Sequence, residues 1–410
     1  MPERPQHAPM TQFPVVDNCL HIGGVPVTQL ASRIGQTPFY AYDRGLITQR
    51  VQLLRQVLPR EINIHYAVKA NPMPAVVAHM AGLVDGMDIA SAGELRIALD
   101  AVVPPSEISF AGPGKTDREL MAAVACDIIV SLESETEMER LARLAERSGI
   151  RPKVAVRVNP DFELKASGMK MAGGPKPFGV DEERVPAMLQ RLAGLDLEFR
   201  GFHIFSGSQN LRAESLIEAQ DQTFELVFRL AADVPSPVAL LNIGGGFGIP
   251  YFPGDQHLDL NPIAEHLVRR LPEVGERLPE AEVVLELGRY LVGEAGIYVC
   301  RVVDRKVSRG RVFLITDGGL HHHLAASGNF GQVLRKNYPI VLANRAASDD
   351  MEEVTVVGPL CTPLDILGDR VILPHAESGD LIAVLQSGAY GFSASPLKFL
   401  GHPEPVEVLV

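Results

Sequence analysis

Eight short, β-rich apolar runs, separated mostly by helix-length intervals, constrain this 410-residue chain more than any other feature. They are Ile62 to Val68, Leu83 to Ile89, Ile108 to Ala111, Asp127 to Val130, Val154 to Val158, Phe199 to Phe205, Val238 to Ile243 and Val283 to Leu287. The intervening segments change period from two to about 3.6 residues. Ile47, Val51, Leu54 and Leu58 fall on one helical face and leave Gln49, Arg50 and Arg55 outward. Ser134 stands where its hydroxyl can cap a helix while Glu137 reaches back, and Met138, Leu141 and Leu144 follow on one face before Gly149 ends it. Eight β/α units are what a closed parallel barrel requires, so the expected fold is α/β, a (β/α)8 barrel over residues 44–288.

After Gly288 the helical period fades. Tyr298 to Val303, Val312 to Thr316, Val354 to Val357, Leu381 to Leu385 and Val406 to Val410 read as antiparallel strands of a carboxy-terminal β domain over 289–410. Strands in 15–43, around Leu20, Ile22 and Pro38 to Tyr42, are expected to join it. A net charge of -12 argues against nucleic acid as a partner. Cys19, Cys126, Cys300 and Cys361 form no CxxC pair, so neither a disulfide framework nor a zinc knuckle is expected, and the first three read as small hydrophobes. Met1 to Pro14 is polar and proline-rich without an apolar leader core, and no later run has the length of a membrane span. The expectation is a cytoplasmic protein with no membrane partner.

In such barrels chemistry collects at the carboxyl ends of the strands. Reading those ends gives Lys69, Asp88, Arg157 with Asn159, His203, Gly244 to Gly246, and Glu286. An amine at a strand end facing a pocket loses hydration, drops in pKa and becomes a nucleophile toward a carbonyl. The glycine triplet after the seventh strand can bring backbone N–H groups onto a phosphate. A buried Glu286 can pair a protonated pyridine nitrogen, Gly288 and Arg289 can help hold a phosphate or a substrate carboxylate, and the flat ring of His203 can stack on an aromatic cofactor while Ser206 donates to its phosphate. An aldehyde trap, a partner for a ring nitrogen, a flat stacker and a phosphate cradle together describe pyridoxal 5'-phosphate.

The motifs carry a resemblance. Tyr66-Ala67-Val68-Lys69-Ala70-Asn71, Asp88 to Leu95, Arg157-Val158-Asn159-Pro160, the Gly244 triplet, Glu286 to Arg289, Gly358-Pro359-Leu360-Cys361 and Gly388-Ala389-Tyr390-Gly391 look like the alanine-racemase-fold decarboxylases, nearest the diaminopimelate and ornithine decarboxylase group. The match runs from about Leu20 to the carboxy terminus. The resemblance implies a homodimer with shared active sites, Lys69 forming the internal aldimine, Glu286 on the ring nitrogen, His203 on the ring face and Asp88 near Lys69. It further implies Ser206, Gly245, Gly246, Gly288, Arg289 and Tyr390 around the phosphate, with Arg157 among the cofactor residues. Cys361 would come from the partner subunit and return a proton to the α-carbon. The implied reaction removes the α-carboxylate of an amino acid through an external aldimine and a quinonoid. An amino acid racemase of the same fold is the alternative that the Gly-Pro-Leu-Cys setting of Cys361 opposes.

The chain departs from that pattern next to the cysteine. Where the family places an acidic residue, this sequence reads Cys361-Thr362-Pro363-Leu364-Asp365, so a neutral Thr362 and an offset Asp365 meet the substrate, together with Arg289 and Tyr390. The segment that grips a distal carboxylate is replaced by His321-His322-His323-Leu324. Adjacent histidines in a strand alternate faces, so no metal is expected there. The subgroup resembled is that linked to exopolysaccharide or secondary-metabolite pathways, which points to a modified or carrier-protein-tethered amino acid as substrate, with diaminopimelate decarboxylation in lysine biosynthesis as the alternative.

Overall fold

The computed structural model describes residues 5–165 and 168–410. The chain divides into two compact units, one of residues 50–249 and 258–288 and one of residues up to 49, 250–257 and 289–410.

The first unit is the barrel. Its strands are β1 (Ile62–Ala67), β2 (Gly86–Ile89), β3 (Ile108–Phe110), β4 (Ile129–Leu132), β5 (Lys153–Asn159), β6 (Glu198–Ile204), β7 (Leu240–Gly245) and β8 (Glu282–Leu287). Each pairs in parallel with its sequence neighbour, and β8 pairs with β1 to close the ring, with Leu287 beside Tyr66. Closure leaves no unpaired edge and buries the strands on both faces, which is why they read as continuous apolar runs. Three helices start where the sequence supplies caps: Ser91 accepts from the Glu94 N–H, Thr116 forms a capping box with Glu119, and Ser134 accepts from the Glu137 N–H. At Ser134 the expected reciprocal bond differs: the Glu137 carboxylate turns to the Glu133 N–H at 2.8 Å and to the Lys115 amine.

The second unit is a β structure. Its large sheet runs in the order Ile340–Leu342, Leu381–Val384, Gly296–Ser308, Arg311–Thr316, Met351–Val357, Ile366–Pro374. Phe39–Tyr42 joins it beside Gly296–Val299 and in turn receives Val406–Leu409, whereas Val15–Pro26 forms a separate three-stranded antiparallel sheet. Two pairings are parallel where antiparallel ones were expected, Arg311–Thr316 with Met351–Val357 and Val406–Leu409 with Phe39–Tyr42. Phe13, Leu20, Ile22, Leu30, Phe39, Ile297, Val299 and Leu381 fill its core. Cys300 is fully buried and burial pushes its thiol up, while Cys19 and Cys126 are only half-buried. Among the described residues no helix is long and apolar enough to cross a membrane.

The histidine triplet lies in a turn rather than a strand, and all three rings are buried. His323 Nδ1 accepts the Ala326 N–H at 3.2 Å, so its Nε2–H donates to Ser387 Oγ at 2.9 Å; His322 Nε2–H donates to the Pro403 carbonyl at 2.9 Å. The Ala326 bond fixes a neutral His323 ring, and burial above all pulls His321, His322 and His323 down to about 3, 4 and 3, in His322 against the Pro403 bond. The unfolded chain therefore binds more protons below about pH 6.5, so stability is complete above that value and is lost as pH falls toward the folded values, by about 1.4 kcal/mol per imidazole and pH unit. Thermal melts at pH 7.5 and 5.5 check this. The melting temperature should drop on acidification, and by less in His323→Phe; an equal drop in both contradicts the assignment.

Candidate active site

Lys69 stands within a single 3-10 turn, Val68–Ala70, rather than at a strand end, because β1 stops at Ala67. Tyr66 donates its hydroxyl to the Asn71 carbonyl at 2.8 Å and Asn71 Oδ1 accepts the Met73 N–H at 3.1 Å, which fixes the exit before Pro74 opens the next helix. Gly288 makes room for this turn, since a Cβ there would come within 3.0 Å of the Ala70 Cβ. The Lys69 amine lies 3.1 Å from Glu286 Oε1 and 5.2 Å over the Phe205 ring, with 45% of the side chain exposed. A half-open nucleophile above a buried carboxylate is the geometry a Schiff-base lysine requires.

Glu286, near the end of β8, is buried. Burial pushes its carboxyl up, but the Lys69 amine, then the His203 imidazole and the Arg157 guanidinium, overcome that and hold it well below the usual carboxylate range. His203 Nε2 lies 3.1 Å from Glu286 Oε2, yet the alignment is poor and Oε2 has no well-placed donor. A buried acceptor left in that condition is costly unless a ligand supplies the missing N–H. His203 reaches this position because a bulge between Phe199 and Gly201 shifts the register of β6 on β5. A one-residue shift exchanges the two faces of a strand, and after it His203 stands opposite Arg157 and Asn242.

Residues beyond the expected set hold these groups. Ser131 Oγ lies 3.3 Å from His203 Nδ1, and the Ser131 carbonyl accepts from the buried Lys115 amine at 2.8 Å. Arg157 donates to Glu133 at 2.7 Å, and Glu133 also accepts the Gly112 and Gly179 N–H groups at 2.6 and 2.7 Å. Burial pushes Glu133 up, and the Arg157 and Lys115 charges carry it net downward, so the pair stays ionised. Arg157 thus acts on Glu286 through its field while bonded to Glu133. Asp88 is engaged by Ser109 Oγ and lies 3.4 Å from His65 Nδ1. Glu94, unforeseen, accepts the Ala90 N–H at 2.7 Å; burial raises its carboxyl against that bond and the Lys69 charge.

The glycine triplet has packing reasons of its own. Gly244 and Gly246 have φ of 68° and 77°, and a Cβ on Gly245 would sit 2.2 Å from the Glu286 carbonyl oxygen. Gly244 is pinned by its N–H bond to Asn242 Oδ1 at 2.9 Å. A Cβ on Gly246 would fall 2.6 Å from the Gly207 carbonyl, which brings the triplet against the segment carrying Ser206. These close backbones provide the side-chain-free wall that a phosphate needs.

The β unit, taken by itself, carries the remaining residues. The Arg289 guanidinium lies 4.7 Å over the Tyr390 ring and 5.7 Å over the Tyr251 ring, with Tyr251 Oη 3.5 Å from Nη1. No carboxylate among the described residues pairs with it. Phe330 stacks on Tyr390 at 6.4 Å. Cys361 is exposed in the turn between Gly358 and Asp365. Asp365 departs from its expected place at the substrate: it is buried, and its two oxygens accept the Leu320 and Leu360 N–H groups at 2.6 and 2.8 Å. It shapes the cysteine turn instead. Thr362 is half-buried and its Oγ1 accepts the Leu364 N–H at 3.3 Å.

The Lys69, Glu286 and His203 set fits pyridoxal phosphate, with Glu286 Oε2, a buried oxygen without a well-aligned donor, suited to accept a ring N–H. Comparison with known proteins agrees. The profile "Pyridoxal-dependent decarboxylase, pyridoxal binding domain" matches residues 44–293. The L-glutamyl-[BtrI acyl-carrier protein] decarboxylase of Niallia circulans is 38% identical over 95% of this chain and 92% of its own. Diaminopimelate decarboxylase of Aquifex aeolicus is 33% identical over 96% of this chain and 91% of its own. The crystal structure of diaminopimelate decarboxylase from M. jannaschii in complex with L-lysine superposes with a TM-score of 0.87 at 25% identity, covering 98% of this chain and 93% of that one.

Proposed function

The chain belongs to the pyridoxal-dependent decarboxylases, and on that footing we propose that it removes the α-carboxylate of an acidic amino acid held through its side-chain carboxyl on a carrier protein. The α-amine and α-carboxylate must both be free for this chemistry, so the tether has to run through the side chain. One observation carries the reading. Thr362 is neutral and Asp365 is turned inward onto two backbone N–H groups, so the cysteine turn offers no carboxylate to a distal ammonium. A masked, uncharged side-chain end suits such a turn; a free diamino acid does not.

When bound, pyridoxal phosphate supplies the carbonyl that takes up an amine and the conjugated ring that receives the electron pair left by departing carbon dioxide. Lys69 would hold its aldehyde end, Glu286 and His203 the ring, and Ser206, the glycine triplet and Gly288 the phosphate side. Glu286 stays ionised through the neutral range because Lys69 and His203 outweigh its burial. Ser131, bonded at His203 Nδ1, leaves Nε2 facing Glu286. In a homodimer with shared sites, Cys361 of the partner subunit delivers a thiol proton to the α-carbon, and the thiolate regains a proton from water.

A second reading, decarboxylation of free diaminopimelate, draws on Arg289, a cation with no carboxylate partner among the described residues that could receive a distal carboxylate. Carbon dioxide release from glutamate, meso-diaminopimelate, a glutamyl side-chain thioester of a short thiol and glutamyl-carrier protein separates the two. Turnover of the thioesters with little from the free acids is expected. Turnover of meso-diaminopimelate at a matching rate overturns the tethered reading.

A further inference from the structure

We propose that a groove on the β unit, floored by Phe313, Thr355 and Val357 and rimmed by Arg311 and Arg370, receives the phosphate-bearing pantetheine arm of the carrier protein; this rests on the carrier-tethered reading above. The groove has a volume of about 610 Å3, and the turn that carries Cys361 forms one wall through Gly358, Leu360, Thr362 and Pro363.

Strand register builds it. Phe313 stands beside Thr355 and Ile315 beside Val357 on neighbouring parallel strands, so Phe313, Thr355 and Val357 share one sheet face. Arg311 begins its strand four residues before Ile315, which places the rim about 13 Å along the strand from the start of the cysteine turn. A phosphate at the rim would leave the thiol end of an extended arm directed at that turn. Arg370, in the left-handed conformation at φ 49° within a bulged stretch of Ile366–Pro374, brings the second guanidinium to the rim.

Charge and polarity match the arm. Arg311 and Arg370 share one carboxylate, Asp369, at 3.2 and 3.3 Å, so the rim keeps a net positive charge. Asp365 also lines the groove, but its oxygens face the Leu320 and Leu360 N–H groups. The hairpin leading in adds Lys306 and Arg309 against Asp304, while its Arg305 is paired with Glu352 at 2.7 Å, in a chain of net charge -12. Guanidinium forks suit phosphate oxygens, Phe313, two residues from Arg311, suits the branched dimethyl carbon beside the phosphate, and Val357 and Thr362 lie farther along, toward the thiol end of the arm.

The test titrates the full-length holoenzyme with 4'-phosphopantetheine, pantetheine and inorganic phosphate by calorimetry. Phosphopantetheine should bind about 10- to 100-fold more tightly than pantetheine. That preference should fall to near unity in R311A/R370A and recover in part in R311K/R370K, with unchanged circular dichroism. Equal binding of the two pantetheine compounds, a preference surviving in R311A/R370A, or inorganic phosphate binding as tightly as phosphopantetheine overturns the assignment. Carbon dioxide release from glutamyl-carrier protein is scored separately. Arginine-dependent phosphopantetheine binding without that release refutes the substrate and upholds the groove as an arm-binding site.

Discussion

Lys69→Ala lowers turnover by about 10³-fold or more, because it removes both the nucleophile and the cation that balances a buried carboxylate. The amine lies 3.1 Å from Glu286 Oε1 and is the strongest of the charges that hold that carboxyl down against burial. Without it Glu286 rises toward the ordinary carboxylate range, with His203 left as its near neighbour at 3.1 Å. The variant should also lose the visible absorbance of lysine-bound cofactor, and small added amines should restore part of the turnover. Partial rescue separates lost chemistry from misfolding. A variant retaining more than about a tenth of wild-type turnover falls outside the range for a residue in this role.

Cys361→Ala should lower turnover by about 10²- to 10⁴-fold with little change in melting temperature, since the side chain is exposed and bonded into no core. The sharper readout is complementation. If each site draws Lys69 from one subunit and Cys361 from the other, mixing Lys69→Ala with Cys361→Ala regenerates one complete site in each hybrid. Equal mixing and subunit exchange then recover about a quarter of wild-type activity from two nearly inactive proteins. Absence of recovery, with exchange verified by mass, would mean that both residues belong to one subunit's site.

Much of this was legible in the chain, and the losses have identifiable causes. All eight barrel strands announced themselves because parallel strands buried on both faces carry apolar side chains at consecutive positions, as in Val283-Val284-Leu285. Ile366–Pro374 did not, because Gly368, Asp369 and Arg370 break its alternation. The fourth barrel strand was expected at Asp127 to Val130 and lies at Ile129–Leu132. That two-residue displacement hid Ser131 and Glu133, which sit where strand-end chemistry is sought. Lys69, His203 and Glu286 were recognisable by residue type and position, and the barrel brings them together. Asp365 could not be judged from sequence, since a carboxylate near a cysteine looks the same whether it faces substrate or two backbone N–H groups. The glycine triplet suggested phosphate, and the structure adds that close backbone approach alone already demands glycine at Gly245.

On the proposed reading, decarboxylation is retained while the substrate end opposite the α-carbon has lost its charge. The intact mass of glutamyl-carrier protein after incubation with the pyridoxal phosphate holoenzyme reports both at once. The mass should fall by one carbon dioxide, with no change for the Lys69→Ala protein. An unchanged carrier mass, under conditions where the same enzyme converts free meso-diaminopimelate to lysine, would contradict it.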